Sequence, residues 1–297
     1  MKSMFTIFLL VLIPFFGAKA QQPINVFEDS LKIGNSPVPG LSVTIPEAEY
    51  EKALKAWVRD LQTGTKSKVI TENSEMSIFG AKIKSISATP VNVYSKLTRL
   101  DSVLQLFASF ELKKDVYIER SSGPEFTKAQ DYLKEFAKNQ YIDVAKGQAD
   151  LEEKKLRDLQ KELSSLENEK SRMQKSIQTD NSNILSEKDN ITLQNNELNT
   201  VNTALIEQND QLTTLEEGPA KKEKAEQIKE LEKRKKKALN SIESSENKIS
   251  RSNSDIDKAT NEIPRNERMQ ERVREQIVMQ EAVYQKYADK LKKIKSY

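Results

Sequence analysis

Two heptad repeats flank a single Gly218-Pro219 pair, and the need for one to return alongside the other constrains this chain more than any other feature. From Leu156 to Leu215 the a positions are Leu156, Leu163, Lys170, Ile177, Ile184, Ile191, Leu198, Leu205 and Leu212. The d positions include Leu159, Leu166, Met173, Val201 and Leu215, with Asp180, Glu187, Gln194 and Gln208 as polar exceptions. The second repeat places Ile228, Lys235, Ile242, Ile249, Ile256, Ile263, Gln270, Ile277, Tyr284 and Leu291 at a. Apolar residues held at that period over so many heptads specify a coiled coil. Antiparallel pairing sets a opposite d, so the numbers of facing residues have a constant sum. Leu159 with Ile277, Leu163 with Val273, Met173 with Ile263, Leu198 with Ala238 and Leu205 with Leu231 all sum to 436. The centre of that register is Gly218, followed by Pro219; a slip of one heptad centres the turn on Leu215 or Lys222, where nothing breaks a helix. LEEGPAKKEK, residues 215–224, is therefore expected at the tip of a hairpin whose arms are roughly 110 Å long at ~1.5 Å per residue.

Before the repeats the pattern is different. GLSVTI, residues 40–45, alternates as a half-buried strand does. Pro46 is expected to open a helix with Tyr50, Leu54, Trp57 and Leu61 on one face and Gly64 past its end, a spacing that favours Trp57 as a core residue over a ligand-stacking one. Strand-like runs follow at 66–71, 76–88, 91–99 and 102–112, the last two joined as a hairpin through the R-L-D-S turn at 99–102. Ser122-Gly123-Pro124-Glu125 reads as a capping box. The helix after it carries Phe126, Ala129, Leu133 and Phe136 on one stripe to pack on the strands. The expected fold class is α+β: a small N-terminal head with an antiparallel sheet, then a long antiparallel coiled-coil hairpin. The chain divides into a signal peptide (1–20), head (21–121), a helix packing on the head (122–146), first arm (147–217), tip (218–219) and second arm (220–297).

Four features of the hairpin bear on function. Lys170 and Asn266 share a polar layer beside Pro264, which removes a helix hydrogen bond, so these three residues mark either a candidate hinge or a tolerated kink in a solvated arm. Five successive layers pair one apolar residue with a polar one, from Asp180 with Ile256 to Gln194 with Ile242; this weak midsection is either loosely packed or receives a partner. Lys233, Arg234, Lys235, Lys236 and Lys237 form a basic run that is a candidate site for phosphate or anionic lipid and, with Gly218 and Pro219 at the tip, a candidate contact surface. Acidic residues in the facing segment of the first arm explain the same run as arm pairing. Val278, Met279, Ala282 and Val283 are apolar but mostly off the seam, and either pack on the helix at 122–140 or form an oligomer face. SDIDKATNE, residues 254–262, lacks the glycine and spacing of a calcium loop.

Composition narrows the chemistry. The chain has neither cysteine nor histidine, which removes zinc, haem, thiol and Ser-His-Asp chemistries and leaves no disulfides. MKSMFTIFLLVLIPFFGAKA has the charged start, short apolar run and small-x-small end of a cleavable signal peptide, so export to a bacterial periplasm or cell surface is expected. No later run reaches the ~20 apolar residues of a spanning helix. The formal charge of +3 provides no global field for nucleic acid. In outline this arrangement resembles tentacled periplasmic chaperones of the Skp type and the adaptor subunits of tripartite efflux systems, a likeness of architecture from which no residue is carried over. The expectation is a non-enzymatic envelope protein without cofactor, metal or nucleic-acid partner, acting as a spacer, adaptor or scaffold through protein contacts and as a homo-oligomer. A holdase-type chaperone gripping clients with its arms, and a ligand-binding head, are the alternatives.

Overall fold

A computed structural model of the chain describes residues 24–33, 36–72, 74–101 and 103–296; the signal-peptide reading of residues 1–20 lies outside them. The chain is α+β, an antiparallel sheet followed by two long helices that pack as a hairpin. It separates into two compact units: residues up to 151 with those from 285 onward, and residues 152–284.

The first unit is built on strands β1 (Val26–Ile33), β2 (Ser36–Pro46), β3 (Ile70–Glu72), β4 (Glu75–Ala81), β5 (Val91–Leu100), β6 (Val103–Lys113) and β7 (Val116–Tyr117). They form one antiparallel sheet in the order β1-β2-β6-β5-β4-β3, with β7 pairing β6 off that path. The hairpin expected from alternation at 91–112 is β5–β6, with Val93 opposite Phe110 and Arg99 opposite Leu104. One sheet face, including Val91, Val93, Leu97, Leu104, Leu106 and Phe110, is buried with helix α1 (Tyr50–Gln62) and the start of α2 (Pro124–Thr214) in a single core. Trp57 is fully buried there, as its helical spacing predicts. Its indole N–H donates to Ser95 Oγ at 2.9 Å, and its ring meets Phe136 edge-on at 4.9 Å. A second cluster joins Tyr141 and Ala145 of α2 to Ile294 near the end of α3 (Pro219–Lys295). Beside it Lys290 Nζ lies 2.6 Å from Glu47, and Gln148 Nε2 donates to the same carboxylate at 3.1 Å. Burial alone would raise the Glu47 pKa, but the bonds from Lys290 and Gln148 hold it below the usual carboxylate range.

Several local expectations are corrected. Pro46 closes β2 instead of opening the helix: Ile45 and Pro46 still pair with β6, Glu47 turns the chain at φ 55°, and α1 starts at Tyr50. The run at 76–88 is strand only to Ala81, because Gly80 (φ 77°) marks an irregularity in the β4–β5 pairing. Beyond it Ile83 and Ile86 reach the core from a turn closed by Ile86 N–H to the Ile83 carbonyl at 2.9 Å. The strand expected at 66–71 is confined to Ile70–Glu72. β1 has no counterpart among the strand-like runs, since it is an edge strand with mostly exposed side chains and therefore no clean alternation. Ser122 Oγ accepts the Glu119 N–H at 3.1 Å and closes a 3-10 turn at Arg120–Ser122 instead of capping α2, which begins at Pro124, where proline's missing N–H costs nothing.

The second unit is α2 against α3, and the contacts follow the expected register. Gln270 Nε2 donates to the Leu166 carbonyl (3.4 Å) and Lys170 pairs with Glu267 (2.7 Å), numbers that sum to 436 and 437. Asn190 with Ser245 and Asn266 with Glu169 sum to 435, whereas slipped registers would centre near 429 or 443. α2 stops at Thr214 and α3 starts at Pro219, so Gly218-Pro219 is a turn, not a kink. Thr213 and Thr214 hydroxyls donate to the Asp210 and Gln211 carbonyls at 2.7 and 2.8 Å, supplying partners in the last turn of α2.

Two glycines of the first unit should respond oppositely to alanine. A Cβ on Gly40 would stand 2.6 Å from the Ala108 carbonyl oxygen and 2.8 Å from the Phe107 ring, whereas one on Gly147 meets nothing within 4 Å. In urea unfolding, Gly40→Ala is expected to cost about 1–3 kcal/mol by overpacking. Gly147→Ala, inside α2, is expected to add about 0.5–1 kcal/mol.

Candidate functional site

The basic run at 233–237 is not one surface. Helical geometry turns Lys235 onto the seam, where it is half-buried, and leaves Lys233, Lys236 and Lys237 exposed. Arg234 is already engaged, its Nε and Nη2 donating to Glu197 Oε1 at 2.9 and 2.7 Å, and Lys233 lies 3.2 Å from Glu230. Among the described residues Lys236 and Lys237 have no ion-pair partner. At the tip Lys224 Nζ donates to the Gln208 and Gln211 side-chain oxygens (2.7 and 2.9 Å), so the turn around Gly218 and Pro219 is tied across both helices.

The hinge candidates lie within a bonded polar network. Asn266 and Gln270 are 5% and 4% exposed. Asn266 Nδ2 donates to Glu169 Oε2 at 3.0 Å, Gln270 Nε2 donates to Asn266 Oδ1 at 2.7 Å, and Arg274 Nη2 reaches Gln270 Oε1 (3.2 Å) and Glu167 Oε1 (3.0 Å). Lys170 pairs with Glu267, and α3 continues as helix through Pro264. Every buried polar group named here has a partner, so the layer costs less than its composition suggests, and it bonds fully only in one register.

The weak midsection is also bonded, and two of its contacts, Glu187 with Ser245 and Asp180 with Ser252, lie one turn out of the expected layers. Ser245 Oγ donates to Glu187 Oε2 at 2.7 Å and accepts from Asn190 Nδ2 at 2.8 Å, while Lys248 Nζ reaches Glu187 Oε1 at 2.7 Å. These bonds, Lys248 first, hold Glu187 below the usual carboxylate range. Ser252 Oγ donates to Asp180 Oδ1 at 3.4 Å. The polar seam residues thus find each other diagonally, which reading layer by layer could not show. Val278, Met279 and Val283 are exposed, at 67%, 52% and 40%.

Sequence reasoning missed a polar node on the other face of the sheet. Glu111 of β6 is 7% exposed and accepts from Asn92 Nδ2 (2.8 Å), Tyr94 OH (3.1 Å) and the Asp115 N–H (2.9 Å). Tyr94 stands edge-on to Phe79 (6.2 Å) and tilted against Tyr117 (6.5 Å). Burial would raise the Glu111 pKa, but those three donors outweigh it and hold it below 4.5. Burial and then the Glu111 carboxylate push the Tyr94 phenol up to about 12. The alternation in β6 already placed Glu111 on the polar face, but its burial depends on the partners that β5 and the β6–β7 turn supply. Because the Asp115 bond closes that turn, the node is a structural one.

Among the described residues no group of three or more Asp or Glu is placed to hold a metal ion, and no helix is long and apolar enough to cross a membrane. The chain matches no protein-family model and no curated protein.

In an ultraviolet titration, one tyrosine is expected to ionise near 12, and Glu111→Gln should move it part of the way toward 10, because burial remains. The sign for Glu111 is that of a depressed carboxylate: its stabilisation is present above its unfolded pKa near 4.5 and is lost as pH falls through the lower folded value. Glu111→Gln should therefore flatten the acid limb of a stability-against-pH curve. In the hairpin, Asn266→Leu with Gln270→Leu is expected to raise stability by about 1–4 kcal/mol while relaxing register. Leu198→Cys should crosslink only to Ala238→Cys in the parent, and also to Ser245→Cys in the double leucine variant.

Proposed function

We propose that the chain is a non-enzymatic exported envelope protein that works through protein contacts, as a coiled-coil spacer, adaptor or assembly scaffold. The observation that carries this reading is the bonded polar network at Asn266 and Gln270. A spacer needs two ends at a fixed separation, and a helix pair that bonds its buried amides in only one register cannot slide. Within the second unit, α2 from residue 152 to its end at Thr214 spans about 95 Å at ~1.5 Å per residue. Homo-oligomer formation is part of the proposal, with exposed Val278, Met279 and Val283 as the face that a second copy would cover. The exposed apolar residues farther out, Leu185, Leu193, Ile206, Leu239 and Met269, are spread singly along the arms in sequence, which suits a spacer better than a chaperone that grips unfolded clients over a continuous surface.

Photo-crosslinkers in place of exposed Thr213 and Lys222, activated in cells, test it. A few adducts of discrete mass are expected. They should disappear when residues 177–190 and 246–259 are deleted together, a change that removes two heptads from each arm and preserves the register. A broad range of adducts that persists in the shortened protein would instead be the behaviour of a holdase.

A further inference from the structure

Within the segment of α3 from Lys233 to Arg272 the charges are sorted by helix face. Between Lys233 and Arg272 the outermost positions of the heptad, c and f, comprise twelve residues, and all twelve are exposed. Seven are cationic: Lys233 and Lys237 toward the tip, Arg251 and Lys258 midway, and Arg265, Arg268 and Arg272 at the far end. Asn240, Ser244, Asn247, Ser254 and Asn261 fill the other five, and none is acidic or apolar. The carboxylates of the same segment all fall at b, e or g. Several are spent within the hairpin, Glu267 on Lys170, Asp255 on Lys258 and Glu271 on Arg274. Among the described residues Lys237, Arg251, Arg265, Arg268 and Arg272 have no ion-pair partner. Arg265, Arg268 and Arg272, spaced i, i+3 and i+7, repel one another, and no described carboxylate pairs with any of them to offset that repulsion. Five of the seven cations, from Lys237 to Arg272, thus keep like charge that no ion pair in the hairpin compensates, and such a face is arranged for charge from outside.

We infer that this face of α3 binds an extended anionic polysaccharide. Charge density separates that ligand from other polyanions. Seven cations over about 60 Å of helix is one per ~8 Å, whereas duplex nucleic acid carries a charge every ~1.7 Å of its axis. The face is thus matched to a polymer whose charges lie between uncharged units. The amide and hydroxyl side chains between the cations donate and accept hydrogen bonds, as sugar hydroxyls between carboxylates require. With no apolar residue on the face, nothing inserts into a bilayer, and with no aromatic residue there is no platform for unpaired bases. The positions c on Arg251, Lys258, Arg265 and Arg272 recur every ~10 Å, a repeat that suits a polymer. The inference is independent of any contact made at the tip.

Binding of the full chain to hyaluronan, whose carboxylates alternate with uncharged sugars, is measured by calorimetry at about 0.15 M salt, beside polyphosphate, duplex DNA and anionic vesicles. Hyaluronan is expected to bind more tightly than the other three. Arg265→Gln with Arg268→Gln and Arg272→Gln should weaken it at least tenfold with helicity by circular dichroism unchanged. Arg251→Gln with Lys258→Gln tests the same face independently of that cluster. Asn247→Ala with Ser254→Ala and Asn261→Ala should weaken hyaluronan several-fold and leave polyphosphate unaffected. Lys221→Gln with Lys222→Gln, off this face, should change nothing. Absence of hyaluronan binding, equal loss in the Lys221 and Lys222 variant, or tighter binding of polyphosphate, DNA or vesicles would overturn the inference.

Discussion

The antiparallel pairing of α2 with α3 is the constraint on which the rest of the structure depends. It returns a chain that left the first unit after Leu151 to that same unit, where Ile294 closes a cluster with Tyr141 and Ala145. There Lys290 meets Glu47 across 243 residues of sequence. Closing so long a loop carries an entropic cost that a single ion pair does not offset. The seam of the second unit provides the offset, because each added turn aligns the next. The left-handed backbone at Glu47 belongs to the same junction, since its carboxylate takes bonds from both helices.

The seam is less apolar than a two-helix pair would be if stability were its only requirement. Val201, Ala238 and Val273 are buried, but so are Ser245, Asn266 and Gln270. Polar residues in a seam trade stability for uniqueness, since slipping by a heptad leaves each of them unpaired while hydrophobic residues would find equivalent neighbours. A spacer and a linear binding face both need that uniqueness. Between Lys233 and Arg272 the cations of α3 recur at fixed intervals only while the helix stays unbroken and the carboxylates of that segment stay on the flanks and the seam side.

The register is legible in the sequence because it rests on arithmetic that many residues share. Pairs such as Leu198 with Ala238 require the same sum, and Gly218-Pro219 is where that sum places a turn. Trp57 is legible for a similar reason, with Tyr50, Leu54 and Leu61 repeating its face. Features that rest on one or two residues are harder to read. Pro46 signals a helix start and equally a strand end; the pairing of β2 with β6 decides between them. Ser122 suits a cap, but the Glu119 N–H takes it instead. β1 is exposed on too many sides for its alternation to show.

Sequence by itself determined the class of the fold, the fold-back point and the seam, because periodicity is a property of the chain and survives without knowledge of its surroundings. Only tertiary structure decided which polar groups became partners. Glu187 lies opposite Ile249 by layer, yet its carboxylate reaches Ser245 and Lys248, and Glu111 has the pattern of an ordinary solvent-facing residue until β5 and the β6–β7 turn surround it. Side-chain hydrogen bonds depend on reach and direction over a few ångströms, which heptad position does not encode. The basic run at 233–237 shows the same limit: contiguous in sequence, it is divided by the helix among seam, flank and open face, leaving Lys233 and Lys237 in line with arginines as far away as Arg272.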